Sequence, residues 1–155
     1  MRVSLFALIL VSGITFTTAQ EKDELPALDN PHNYIKLLAQ DAALPALQGE
    51  EKFILRESWW SGRMEPGKAK LIQVQLFRRN AYQFWLAVPN RNGEPIINVY
   101  DSEGNLIPSE SLNFEGTNIV STMIQPEITG VYYIRVSLKT TIESPQDWAV
   151  IYAYR

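Results

Sequence analysis

Along the second half of the chain, apolar and polar residues alternate in short runs separated by turn residues. Ile72, Val74 and Leu76 share one face of such a run, with Gln73 and Gln75 on the other. Tyr82, Phe84, Leu86 and Val88 alternate with Gln83, Trp85 and Ala87, and Tyr132, Ile134, Val136 and Leu138 alternate with Tyr133 and Arg135. A period of two predicts strands, because successive side chains leave a strand on opposite faces. Residues 96–100, 119–124 and 148–154 read as further strands, and residues 53–60 are apolar and aromatic with partial alternation. Glu65-Pro66-Gly67, Arg78-Arg79-Asn80, residues 89–93, 101–105 and 127–130 are turns or short loops, and residues 109–117 and 140–146 are polar loops. Roughly seven or eight strands with turns about every 8–12 residues predict a mostly β, antiparallel β-sandwich of jelly-roll or Ig-like type. No long helices separate the strands, which excludes parallel βαβ winding.

One helix precedes the strands. Asp29-Asn30-Pro31 supplies a capping side chain and an early Pro. Tyr34, Leu37, Leu38 and Ala42 follow at helical spacing, predicting an amphipathic helix to about Ala43 that Pro45 ends. It is expected to pack on one sheet or on an open end of the sandwich. Residues 20–48 then form an acidic leader and helix, and residues 49–155 the sandwich.

The N-terminus changes the picture of where the protein works. Met1-Arg2, an apolar run over residues 3–16 and the small residues before Gln20 have the order of a secretory signal, with cleavage after Ala19. The run is short of the ~20 apolar residues a membrane span needs. Losing Arg2 with the signal takes the formal charge from −3 to −4 with His32 neutral. This mild acidity argues against nucleic acid and against an anionic membrane surface. The chain has no cysteine. That excludes disulfides, a lipid-bearing cysteine, thiolate zinc and thiol nucleophiles. No Asn-x-Ser/Thr acceptor occurs. A secreted or periplasmic location is the expectation.

From about Trp59 to the end, the run of motifs resembles the bacterial pre-peptidase C-terminal domain family. The features are Pro66-Gly67 before a strand, Leu76-Phe77 turning into Tyr82-Gln83-Phe84-Trp85-Leu86, the strand and turn from Ile97 through Asp101-Ser102-Glu103-Gly104-Asn105 to Ile107, and Gly130-Val131-Tyr132-Tyr133-Ile134-Arg135-Val136. The resemblance implies a small β-sandwich of a secreted protein. The acidic pair that such domains often carry before the strand ending at Tyr100 is replaced by Glu94-Pro95-Ile96-Ile97-Asn98, so a calcium role does not carry over.

Candidate chemistry is sparse. His32 is the single histidine and the only base available to a Ser-His-Asp site. Glu50, Glu51, Glu57, Glu65, Asp101 and Glu103 are candidate carboxylates for a paired-acid hydrolase, and most fall in turns. Asp101, Glu103 and Asn105 imitate the first half of a calcium loop, but Leu106 stands where that loop needs glycine and Leu112 where it needs Glu. Arg63, Lys68, Lys70, Arg78 and Arg79 are a loose basic set near two turns. Trp59, Trp60 and Trp85 are the candidate ligand-binding residues, since exposed aromatics can stack on sugar rings; filling the space between sheets is the competing role. In the stronger apolar phase Trp85 points away from the core, toward the helix or the Trp59-Trp60 segment.

The reading is a non-catalytic accessory or binding module without cofactors, taking a glycan or protein ligand. Its surfaces would be the sheet face carrying Trp85 and the loops at residues 89–95, 108–118 and 140–146. The alternatives are an assembly subunit pairing through edge strands and a small hydrolase using paired carboxylates. A monomer or weak oligomer is expected.

Overall fold

The computed structural model describes residues 30–155; the signal and leader segments read from the sequence lie outside them. One helix precedes nine strands among the described residues. Helix α1 spans Pro31–Gln48. The strands are β1 (Ile54–Leu55), β2 (Trp60–Met64), β3 (Ala69–Leu76), β4 (Tyr82–Ala87), β5 (Gly93–Tyr100), β6 (Glu110–Asn113), β7 (Ile119–Ile124), β8 (Gly130–Thr140) and β9 (Gln146–Tyr154). They form two antiparallel sheets. The larger has the order β1-β9-β4-β7-β6, with β2 pairing farther along the edge of β9 that β1 uses; the smaller is β3-β8-β5. The sheets pack face to face, as the alternation in β3, β4 and β8 predicts.

The inner face of the smaller sheet brings Ile72, Val74, Leu76, Val99, Ile134 and Val136 to the core. The larger sheet meets them with Tyr82, Phe84, Leu86, Val120, Val150 and Tyr152. Phe84 and Tyr152 are cross-strand partners whose rings stack at 5.4 Å and 8°. Trp60 adds a tilted contact to Tyr152 at 5.2 Å.

The larger sheet is buried on its other face as well. There Trp85 is paired between Ile151 on β9 and Ser121 on β7. Ala87, Ala149 and Ala153 surround it at neighbouring positions of the same face, and Ile35, Ala39 and Ala43 of α1 close the layer. The molecule is thus three layers, helix on sheet on sheet, with two apolar interfaces.

Three sequence expectations need correction. The helix does not stop before Pro45 but runs through it to Gln48. Pro45 removes only the bond to the Asp41 carbonyl, and both residues are exposed, so water can take its place. Ala46 and Leu47, packed on the sheet, hold the last turn in place, and the Ala46 carbonyl accepts from Phe53 N–H at 3.1 Å. The buried face is also different: Ile35, Ala39 and Ala43 are buried, whereas Tyr34 is 51% and Leu37 48% exposed. Trp85 and Ile151 supply the bulk from the sheet side, so small helix residues fit above them. Third, the polar loop over residues 109–117 contains edge strand β6, whose side chains are all exposed. It is held by backbone pairing to β7 and so carries no hydrophobic pattern to detect.

The N-cap is as the sequence implies. Asn30 Oδ1 accepts from His32 N–H at 3.0 Å, and Pro31 opens the helix. If α1 covers the sheet through Trp85, Trp85→Ala should lower stability by about 3–5 kcal/mol. Urea unfolding measures this, and an unchanged midpoint would contradict the packing.

Candidate functional site

The tryptophans do not form an exposed row. Trp85 is 1% exposed and covered by α1, so neither this residue nor its sheet face is open to a ligand. Trp59 and Trp60 are both half-buried, and being adjacent they turn to opposite faces of the larger sheet. Trp59 joins the helix-side layer with Lys36 Nζ 4.8 Å from its ring centre, and Trp60 joins the inner core. Trp148 is buried over Gly62, its cross-strand partner. Packing on both faces of one sheet takes up these side chains, so they offer no shared stacking platform.

The turn after β5 spends its carboxylate on itself. Asp101 Oδ1 accepts the backbone N–H groups of Glu103 and Asn105 at 2.9 and 2.8 Å, and Oδ2 accepts Asn105 Nδ2 at 2.9 Å. The Asn105 amide, followed by the backbone donors, holds the Asp101 carboxyl below its ordinary range. Gly104 takes a left-handed φ of 87° that closes the turn. A cleft of about 390 Å³ is lined by Asp101, Glu103 and Glu127, with Ile107, Pro108 and Ile128 as apolar walls. No group of three or more His, Asp or Glu among the described residues is arranged to hold a metal ion.

His32 belongs to a latch. Its Nε2 lies 3.6 Å from Asp147 Oδ1, while Arg63 Nε donates to the same oxygen at 3.0 Å. Asp147 at the start of β9 therefore joins the first turn of α1 to β2. The Arg63 hydrogen bond holds the Asp147 carboxyl below its usual range, against the opposing effect of burial. Among the remaining carboxylates, Glu51 pairs with Arg155, and Glu50, Glu57 and Glu65 are exposed on separate turns. The basic set also disperses. Lys68 and Lys70 lie at one end of β3 and Arg78 and Arg79 beyond the other, so a strand of eight residues, about 25 Å, separates them.

The outer face of the smaller sheet is also open, and no described element packs on it. Its rows read directly from the register: Gln73, Tyr133 and Tyr100 lie across the three strands, and Leu71, Arg135 and Asn98 form the next row. Gln75 extends the face beside Val131. Tyr100, Tyr133, Asn98 and Arg135 are half-buried, Gln73 and Gln75 exposed, and Leu71 is 66% exposed. Arg135 Nη1 donates to Ser137 Oγ at 3.0 Å, which fixes the guanidinium along the sheet. The sequence pattern places Tyr133 and Arg135 outward but does not disclose their neighbours Tyr100, Asn98 and Gln73, because a single strand's alternation carries no register.

No family model matches the chain, and no curated protein is significantly similar to it. The resemblance to pre-peptidase C-terminal domains stands on the motifs quoted above alone.

Two measurements follow. Calcium titration should give no heat; a signal abolished by Asp101→Ala would make the turn a metal site. Because the Asp147 carboxyl is lowered in the fold, its stabilisation is present above the unfolded value of about 3.9 and is lost as pH falls through the folded value. Asp147→Asn should therefore be less stable than wild type at neutral pH by up to about 1 kcal/mol, the gap closing in acid. Urea midpoints across a pH series check this.

Proposed function

We propose that the chain is an exported, non-catalytic binding module that takes a glycan on the outer face of its smaller sheet. The observation that carries the reading is the row Gln73–Tyr133–Tyr100 beside Leu71–Arg135–Asn98 on an uncovered three-stranded sheet. Sugar rings present apolar C–H faces and a rim of hydroxyls. Two adjacent tyrosines supply aromatic surface for the former. Amides both donate and accept, and a guanidinium donates in a fixed fork, so Gln73, Asn98 and Arg135 suit the hydroxyl rim. These groups project from paired strands, which hold their spacing without ligand and reduce the ordering cost of binding.

A catalytic reading finds less support. His32 is engaged at the helix start by Asp147, no hydroxyl among the described residues hydrogen-bonds to its ring, and the Asp101 carboxylate is engaged by its own turn. Export rests on the N-terminal sequence pattern. No helix of the described residues is long and apolar enough to cross a membrane.

Tyr133→Ala and Tyr100→Ala should each weaken binding to a soluble polysaccharide by roughly fivefold or more, since stacking on an aromatic ring contributes about 1 kcal/mol or above. Affinity electrophoresis against a panel of polysaccharides reads the loss, with thermal unfolding to show that both variants fold. Equal mobility of wild type and both variants on every polysaccharide would reject this face as a glycan site.

A further inference from the structure

The two sheets leave a second cavity where the edge strand of the smaller sheet passes over β1 and β9. Its volume is about 220 Å³. That is below the ~300–1,000 Å³ of drug-sized sites, so it accommodates one small ring rather than an extended chain. Phe77, Tyr152 and Tyr154 are aromatic walls.

The polar groups lining it are Arg56, Gln75, Asn80 and the hydroxyls of its tyrosines, with no acidic side chain among them. Arg56 lies between β1 and β2, its backbone N–H fixed to the Tyr152 carbonyl at 3.0 Å. Its guanidinium stands 5.6 Å from the ring centre of Tyr154. No acidic group among the described residues forms an ion pair with it, although Arg63 and Arg155 each have one. Tyr82 adds a second unspent donor. Its oxygen accepts from Phe77 N–H at 3.0 Å and from Asn80 Nδ2 at 3.3 Å, so its own proton is left to donate, and the residue is only 4% exposed. A cavity rich in donors, without an anion of its own and walled by aromatic rings, is matched by a ligand with the opposite pattern.

We infer that this cavity binds a small ring-bearing carboxylate, with the carboxylate on Arg56 and the Tyr82 hydroxyl and the ring against Tyr152 and Tyr154. Guanidinium and carboxylate match as a two-bond fork, and charge-assisted bonds of this kind are about twice as strong as neutral ones. The donor set alone does not distinguish an acidic sugar from an aromatic acid, because both offer a carboxylate on a six-membered ring with an apolar face that can lie against an aromatic side chain. The site adjoins the open sheet face at Gln75, but Arg56, Tyr82, Tyr152 and Tyr154 lie outside that sheet, so binding here does not depend on that face taking a glycan.

The test is isothermal titration of the full chain with sodium glucuronate and sodium benzoate, with glucose and acetate as controls. Saturable binding of one of the two acids at millimolar concentration is expected, with weaker binding of both controls. Glucuronate alone would identify an acidic sugar, and benzoate alone an aromatic acid. Arg56→Gln should lower the affinity at least tenfold and Arg56→Lys by less, because lysine keeps the charge but loses the fork. Thermal unfolding checks that both variants fold. Absence of binding by both acids, or binding that Arg56→Gln leaves intact, would overturn the assignment.

Discussion

The burial of Trp85 is the constraint on which the rest of the architecture depends. An indole at the centre of the larger sheet's outer face cannot be left in water without losing the stabilisation of a side chain that buries up to about 250 Å². Helix α1 answers that requirement. The alanines around it on β4 and β9, and those at positions 39 and 43 of the helix, let the backbones approach until the indole fills the space between them. Once α1 lies there, that sheet has no free face. The latch between His32, Asp147 and Arg63 then fixes the start of the helix to the end of β9 that is farthest from Phe53 and Arg155.

This accounts for what the sequence does and does not disclose. Strands β3, β4 and β8 each have one clean alternating set facing the core, and their inward residues are legible from period alone. Strand β4 carries a further signal, because its second set includes Trp85 and Ala87 as well as Gln83. A strand apolar on both faces lies in a sheet covered on both faces. The helix is less legible. Its apolar residues cover more than half its circumference, and the choice between Tyr34 with Leu37 and Ile35 with Ala39 depends on bulk supplied by another element. Strand β6 buries no side chain, so hydrophobic periodicity has nothing to register there. Residues 53–60 look like one apolar segment yet separate into β1 and the start of β2, with Trp59 and Trp60 entering different layers.

The candidate surfaces are harder to read for a related reason. Each is assembled across strands that are distant in the chain. Tyr100 and Tyr133 become neighbours only through the register of β5 on β8, and Arg56 meets Tyr154 and Tyr82 only where β1, β9 and β4 come together. Aromatic content in the sequence draws attention to the tryptophans, the largest apolar groups. Size is also what commits them to the interior, whereas tyrosine, with one polar end, is suited to a surface that is apolar in its body and wet at its tip.

The two open surfaces then differ in physical kind. The sheet face is shallow, extended and mixed in its hydrogen bonding, with amides that serve as donor or acceptor; it suits a chain of neutral rings. The seam cavity is small and cationic, with Arg56 and no acidic side chain in its lining, in a protein whose overall charge is negative. The Arg56 guanidinium, held over the Tyr154 ring beside the Tyr152 and Tyr154 hydroxyls, gains some stabilisation from the ring's quadrupole. That interaction leaves its N–H edge unsatisfied by any acidic group among the described residues, so the edge is the part of Arg56 that a carboxylate would complete. The net negative charge slows the approach of such a ligand, and selectivity at the seam therefore depends on short-range geometry, with Tyr82, Tyr152 and Tyr154 held by β4 and β9 and the Arg56 backbone fixed to β9.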